Sequence, residues 1–221
     1  MDYRLFIFGL AVGVLNWVSA EKKWKIIEYI TKPAVILIFL LWLWTNGALH
    51  GVMLWFGLGL VFSLAGDIIL MLPQKFFLPG LVSFLLAHIM YLIGFNLSVT
   101  TISIPILFVA LAFLCVAYLV FRRLIRGLSA CGEESLKLPV TIYASIISLM
   151  TISAMFTLAN PAWSLLHAAI VTCGALLFFI SDTLLAWNKF CAPYPHADLL
   201  VMVTYHLGQA GIILGTALHF A

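Results

Sequence analysis

Two aspartates set the functional reading of this sequence. Asp67 and Asp182 each stand inside a long apolar run, whereas Asp2, Glu21, Glu28, Glu133, Glu134 and Asp198 fall at the termini or in connections. An ionised aspartate near the centre of a membrane helix costs about 2.5–3.5 kcal/mol on insertion scales, so its presence there points to a role. Two carboxylates close together in low dielectric tend to hold one proton between them, because like charges there cannot both ionise cheaply. The pair is therefore expected to supply acid–base chemistry, one member as acid and the other as carboxylate. The competing reading is that each aspartate only hydrogen-bonds a neighbouring helix.

Other polar side chains reach a similar level. His88 and Tyr91 are three residues apart and Tyr205 and Gln209 four apart, so each pair shares a helix face. Tyr143 lies five residues into its own apolar run, which matches the aspartates in depth. Ser63 and Ser181 stand near Asp67 and Asp182 and are candidates to orient them. No G-x-S-x-G marks a serine nucleophile. His206 points about 100° away from Tyr205 around its helix and is left out of the cluster. Cys115, Cys131, Cys173 and Cys191 have no CxxC or Cys/His ligand spacing, which argues against a disulfide framework or structural zinc.

The elements that must position these residues are membrane helices. Of the 221 residues, 65% are hydrophobic and 9% are charged, against about 25% charged in soluble domains. A chain so poor in charge cannot cover a water-facing surface. Eight runs approach the roughly 20 apolar residues a spanning helix needs: 3–20, 32–46, 51–72, 78–98, 101–125, 138–158, 163–187 and 197–220. The second is short and is expected to extend at one end. Such a chain must satisfy its own backbone groups, so the fold class is all-α, a single integral membrane domain over 1–221. Val18-Ser19-Ala20 resembles a cleavage site, but lysines follow at once, and the run is read as the first membrane helix.

Charge gives the orientation. Ten of the eleven Lys and Arg fall in the connections after helices 1, 3, 5 and 7, and positive excess marks cytoplasmic loops. Both termini are then non-cytoplasmic, in a multi-pass protein expected in a bacterial inner membrane. Tryptophans at both ends, including Trp42 and Trp163, read as interfacial belts. Orientation and anionic lipid account for the basic clusters, and no nucleic-acid partner is called for. A weak repeat also shows. Gly66-Asp67 and Ser181-Asp182 each precede a Lys-Phe pair, and Lys32-Pro33 and Lys137-Leu138-Pro139 each open the preceding helix. Two parallel four-helix halves, 1–98 and 101–221, would produce it.

The motifs resemble one family. Gly66-Asp67-Ile68-Ile69-Leu70-Met71, then Phe77-Leu78-Pro79-Gly80-Leu81, Phe84, Ala87-His88, Tyr91 and Phe95, are similar to the lysoplasmalogenase, or YhhN-like, membrane proteins. Gly174-Ala175, Phe178, Ser181-Asp182-Thr183-Leu184-Leu185-Ala186, Tyr205 and Gln209, with Lys32-Pro33 and Tyr143, extend the resemblance over nearly the whole chain. It implies eight helices and hydrolysis of the vinyl ether bond of a lysophospholipid, releasing a fatty aldehyde and a glycerophospho-base.

That reaction suits the residues. A vinyl ether hydrolyses by protonation at carbon and attack of water on the oxocarbenium ion, which asks for an acid and a carboxylate but no covalent nucleophile, metal or cofactor. Asp67 and Asp182 are the expected catalytic pair. Lys32 is expected to meet the lipid phosphate, with His88, Tyr91, Tyr143, Tyr205 and Gln209 positioning water and ether oxygen. Two alternatives stand beside this. One is a metal-dependent lipid hydrolase of alkaline ceramidase type, using Asp67, His88, Asp182 and His206. The other is a proton-coupled transporter or lipid-binding protein with the aspartates as a relay.

Overall fold

The computed structural model describes residues 1–97 and 103–221, and those residues form eight long helices. In chain order they are α1 (Arg4–Lys22), α2 (Lys25–Thr45), α3 (Met53–Leu70), α4 (Phe77–Leu97), α5 (Ile104–Ala130), α6 (Lys137–Phe156), α7 (Leu165–Phe190) and α8 (Ala197–Phe220). All eight are long and apolar enough to cross a membrane. The boundary between the two expected halves, 98–101, lies outside the described residues.

Several helix ends differ from the hydropathy reading, α5 running on to Ala130 rather than 125 among them. α2 begins at Lys25, not 32, so Pro33 lies inside it rather than opening it. Its first two turns carry Lys25, Glu28 and Lys32, too polar for a hydropathy window but satisfied locally. Thr31 caps a carbonyl of its own helix, and Asn16 of α1 reaches Thr31 at 3.0 Å. The turn between α1 and α2 is tight because Lys23 takes a left-handed conformation (φ 57°), which lets Trp24 N bond Ser19 O. α3 ends at Leu70, shortly before Pro73, a residue type that disfavours helix just ahead of it. α7 runs on to Phe190, its polar last turn held by Lys189, whose ammonium bonds Gln74 at 2.9 Å and sits 4.4 Å from the Phe77 ring centroid. Asp67 is thus within one turn of its helix end and Asp182 two turns from its own.

The core runs through α1–α4 and α6–α8, with Phe39, Trp42, Phe56, Leu60, Phe84, Tyr91, Phe178 and Ile212 among its buried members. α5 stands at the edge and turns large apolar side chains outward, Phe108 and Leu119 among them, as a lipid-facing helix would. Trp42 and Trp163 are not belt residues. Trp42 is fully buried and donates to Asp2 O at 2.8 Å, and Trp163 stacks on His219.

α7 and α8 approach most closely, along small residues. A Cβ on Gly174 would lie 2.5 Å from Ile212 N and 2.9 Å from Gly208 O, both backbone atoms that cannot swing aside. Gly174→Ala is expected to force the helices apart and to destabilise the protein by about 1–3 kcal/mol. Gly13→Ala, whose new methyl would meet its nearest atom at 3.8 Å, is the matched control. Equal unfolding midpoints for the two variants in detergent would refute the close-packed seam.

Candidate active site

The polar side chains singled out above gather into three clusters, each tying three helices. Asp67 of α3 is fully buried. Its Oδ2 accepts from the Tyr205 hydroxyl of α8 at 2.8 Å, and its Oδ1 lies 3.6 Å from Lys32 Nζ of α2. That second distance is an ion pair rather than a hydrogen bond. A buried charge needs such a partner, because neither a lipid tail nor an apolar helix can solvate it.

Asp182 of α7 forms the second cluster. The Tyr143 hydroxyl of α6 donates to its Oδ2, and His88 Nε2 of α4 lies 3.1 Å from the same oxygen. His88 Nε2 is also 2.9 Å from the Tyr143 oxygen, which closes a triangle. With Tyr143 donating, an Nε2–H on His88 completes that triangle. Among the described residues, both interactions end on Oδ2, so Oδ1 is left to whatever occupies the space in front of it. Asp182 also lines a cavity of about 450 Å³, a volume typical of small-ligand sites. Asp182 and Tyr143 are polar points in a wall made chiefly of Phe84, Leu114, Phe121, Leu124, Ile147 and Phe179.

The residues of the third cluster do not line this cavity. Tyr91 donates to Gln209 Oε1 at 2.6 Å, and Gln209 Nε2 donates to Ser63 Oγ at 2.8 Å. Of the expected helix-face pairs, His88 and Tyr91 divide, whereas Tyr205 and Gln209 also interact with each other and link the first and third clusters. His88 joins Asp182 while Tyr91 goes to Gln209, and Tyr205 joins Asp67. The two carboxylates share no hydrogen bond. Phe84 and Phe178 stack edge-on against Tyr205, and Phe178 also against His88, so aromatic rings stand among the clusters. Asp182 lines the apolar cavity, and Asp67 does not.

Several sequence-based assignments are redistributed. Ser63 accepts from Gln209 and Ser181 donates to Val201 O; neither orients an aspartate. His206 is buried, hydrogen-bonds neither carboxylate among the described residues, and accepts from Trp17 Nε1 at 3.1 Å. Among the described residues, no three His, Cys, Asp or Glu side chains converge as a metal site would require. Lys189 and Gln74, for which sequence spacing gives no site role, line a second cavity of about 190 Å³ with Lys32. The signal for them was weak, being a lone lysine in a helix's last turn and a polar residue after a proline.

Comparison with known proteins adds a family match. The YhhN family model matches residues 27–216. The Homo sapiens protein named lysoplasmalogenase TMEM86A is 33% identical over 159 residues, covering 71% of this chain and 62% of that protein. The Sus scrofa protein named lysoplasmalogenase TMEM86B is 31% identical over 213 residues, covering 96% of this chain and 84% of its own length. A lysoplasmalogenase homolog of Dictyostelium discoideum is 26% identical over 190 residues, covering 73% of this chain. The chain thus spans somewhat under two thirds of the human relative. No solved structure matches it.

Proposed function

The chain belongs to the YhhN family, and from that premise and the site geometry we propose that it hydrolyses the vinyl ether bond of lysoplasmalogens. The observation that carries this reading is the Asp182 carboxyl. It is held at one oxygen by Tyr143 and His88 and faces a tail-sized apolar cavity. Asp182 Oδ1 delivers a proton to the carbon β to the ether oxygen, and the adjacent carbon becomes the oxocarbenium centre. Tyr143 and His88 hold the negative charge that this leaves on the carboxylate. Water then adds to the oxocarbenium carbon, giving back a proton to Asp182. The hemiacetal breaks at the glycerol oxygen into a fatty aldehyde and a glycerophospho-base, with one water consumed.

Asp67 is the second carboxylate of this site. Enclosed behind Tyr205, it acts by fixing Lys32 and Tyr205 rather than by touching the lipid. Tyr91, Gln209 and Ser63 hold α3, α4 and α8 together behind it, as interhelical hydrogen bonds do in apolar surroundings. The basic end of the bundle faces the cytoplasm, which puts Met1 and Ala221 on the opposite side. The antiparallel pairs α3–α4 and α7–α8, each carrying one aspartate, support two corresponding four-helix halves.

The test is aldehyde release by purified protein from a vinyl ether lysolipid, with the matched saturated ether and ester lysolipids as controls. Aldehyde is expected from the first alone. Fatty acid released from the ester would make the protein a lipase instead, and no product from any of the three would end the hydrolase reading. Tyr143→Phe removes one of the two groups on Oδ2 and is expected to lower turnover about 10–100-fold, the worth of a hydrogen bond to a charged group. Unchanged turnover in that variant would take Tyr143 out of the mechanism.

A further inference from the structure

We infer that the 190 Å³ cavity at the basic end is an anion site for the phosphate of a single-chain lipid, with Lys189 as its principal ligand and Gln74 holding that lysine in place. The inference rests on the lipid hydrolase reading above and specifies which part of the substrate this second cavity reads. Lys32, Gln74 and Lys189 provide its polar atoms, and Leu70, Leu72, Phe77, Leu185, Val201 and Met202 the rest. Leu70, Phe77 and Leu185 also line the 450 Å³ apolar cavity, so the two spaces adjoin. A molecule with a charged head and one apolar chain fits that pair of volumes, and a free anion would use only the smaller.

Charge decides the sign of the head. Lys32 is matched by Asp67 at 3.6 Å. Lys189 has no carboxylate within ion-pair distance among the described residues, and its ammonium donates only to the neutral Gln74 amide while resting on the Phe77 ring. No acidic side chain lines the cavity. Glu133, beyond ion-pair distance and absent from the cavity wall, only partly offsets this cation, and a phosphodiester carries one negative charge. An ammonium has three hydrogens to donate and Gln74 takes one, which leaves donors for phosphate oxygens. Lys32, at the rim between Asp67 and the cavity, adds a second donor.

The test is equilibrium binding to the full chain in detergent, using a saturated alkyl-ether lysophospholipid, which has no vinyl bond to cleave. The matched alkylglycerol serves as tail without phosphate, and glycerophosphate as phosphate without tail. Lys189→Met is expected to weaken the lysophospholipid about tenfold and leave the alkylglycerol unchanged, while Lys189→Arg stays within a few-fold of wild type. Gln74→Leu, at an exposed turn, gives a smaller loss confined to the phospholipid. Equal weakening of both lipids by Lys189→Met, or none of either, would overturn the proposal. Glycerophosphate binding as tightly as the lysophospholipid would overturn the claim that the ligand is a lipid. Lys189-dependent phospholipid binding by a protein that releases no aldehyde would leave the anion site standing and remove the hydrolase reading.

Discussion

Asp182→Asn is expected to reduce aldehyde release by a hundredfold to ten-thousandfold, roughly the contribution of a positioned general acid–base group. Asparagine has the same shape, and its carbonyl can still accept from Tyr143 and His88, so the helices α4, α6 and α7 remain tied. What it lacks is a transferable proton. The variant should therefore purify as a folded protein and still bind a saturated ether lysolipid with near-normal affinity. Loss of turnover together with loss of binding would indicate a collapsed cavity rather than a missing acid. Near-normal turnover would remove Asp182 from the chemistry altogether.

Lys32→Met should be the most destabilising of the substitutions considered. It leaves the Asp67 carboxylate with no cation, in a position with no access to water. Removing one partner of a buried ion pair costs about 3–5 kcal/mol, most of it the burden of the charge left behind. The expected readout is a clearly lower unfolding midpoint in detergent. Combining Lys32→Met with Asp67→Asn should restore most of the loss, because the orphaned charge goes with it. A double variant no more stable than Lys32→Met alone would mean that the pair is not what holds α2 against α3.

Much of this arrangement was readable in the sequence, and the failures have common physical causes. The eight spans follow from hydropathy, and Asp67 and Asp182 stand out because a carboxylate in an apolar run is conspicuous. Tyr143 stands at the aspartates' depth by residue count, whereas His88 counts as deeper in its helix and yet meets Asp182. What spacing could not give is which polar residue meets which, since helix rotation and tilt are set by packing. His88 and Tyr91 share a helix face, yet they serve different clusters because α6 and α7 meet one and α8 the other. Ser63 and Ser181 were misjudged for a related reason: nearness in sequence to an aspartate says little when the hydroxyl has a better acceptor or donor on the next helix. α2 extends at one end as expected, by seven residues at its start, because its first turns satisfy their polar groups against α1, which hydropathy alone does not register.

The peripheral position of α5 has a kinetic consequence. Leu114, Ala117, Phe121 and Leu124 of this helix form one wall of the apolar cavity, while its opposite face is turned outward. On the proposed function, a lipid that reaches Asp182 past such a wall would arrive by lateral diffusion within the bilayer, not from water. The quantity expected to saturate the proposed reaction is then the mole fraction of substrate in the membrane. Diluting the substrate with inert phospholipid at constant bulk concentration should slow the reaction, and adding more vesicles of the same composition should not speed each enzyme molecule up.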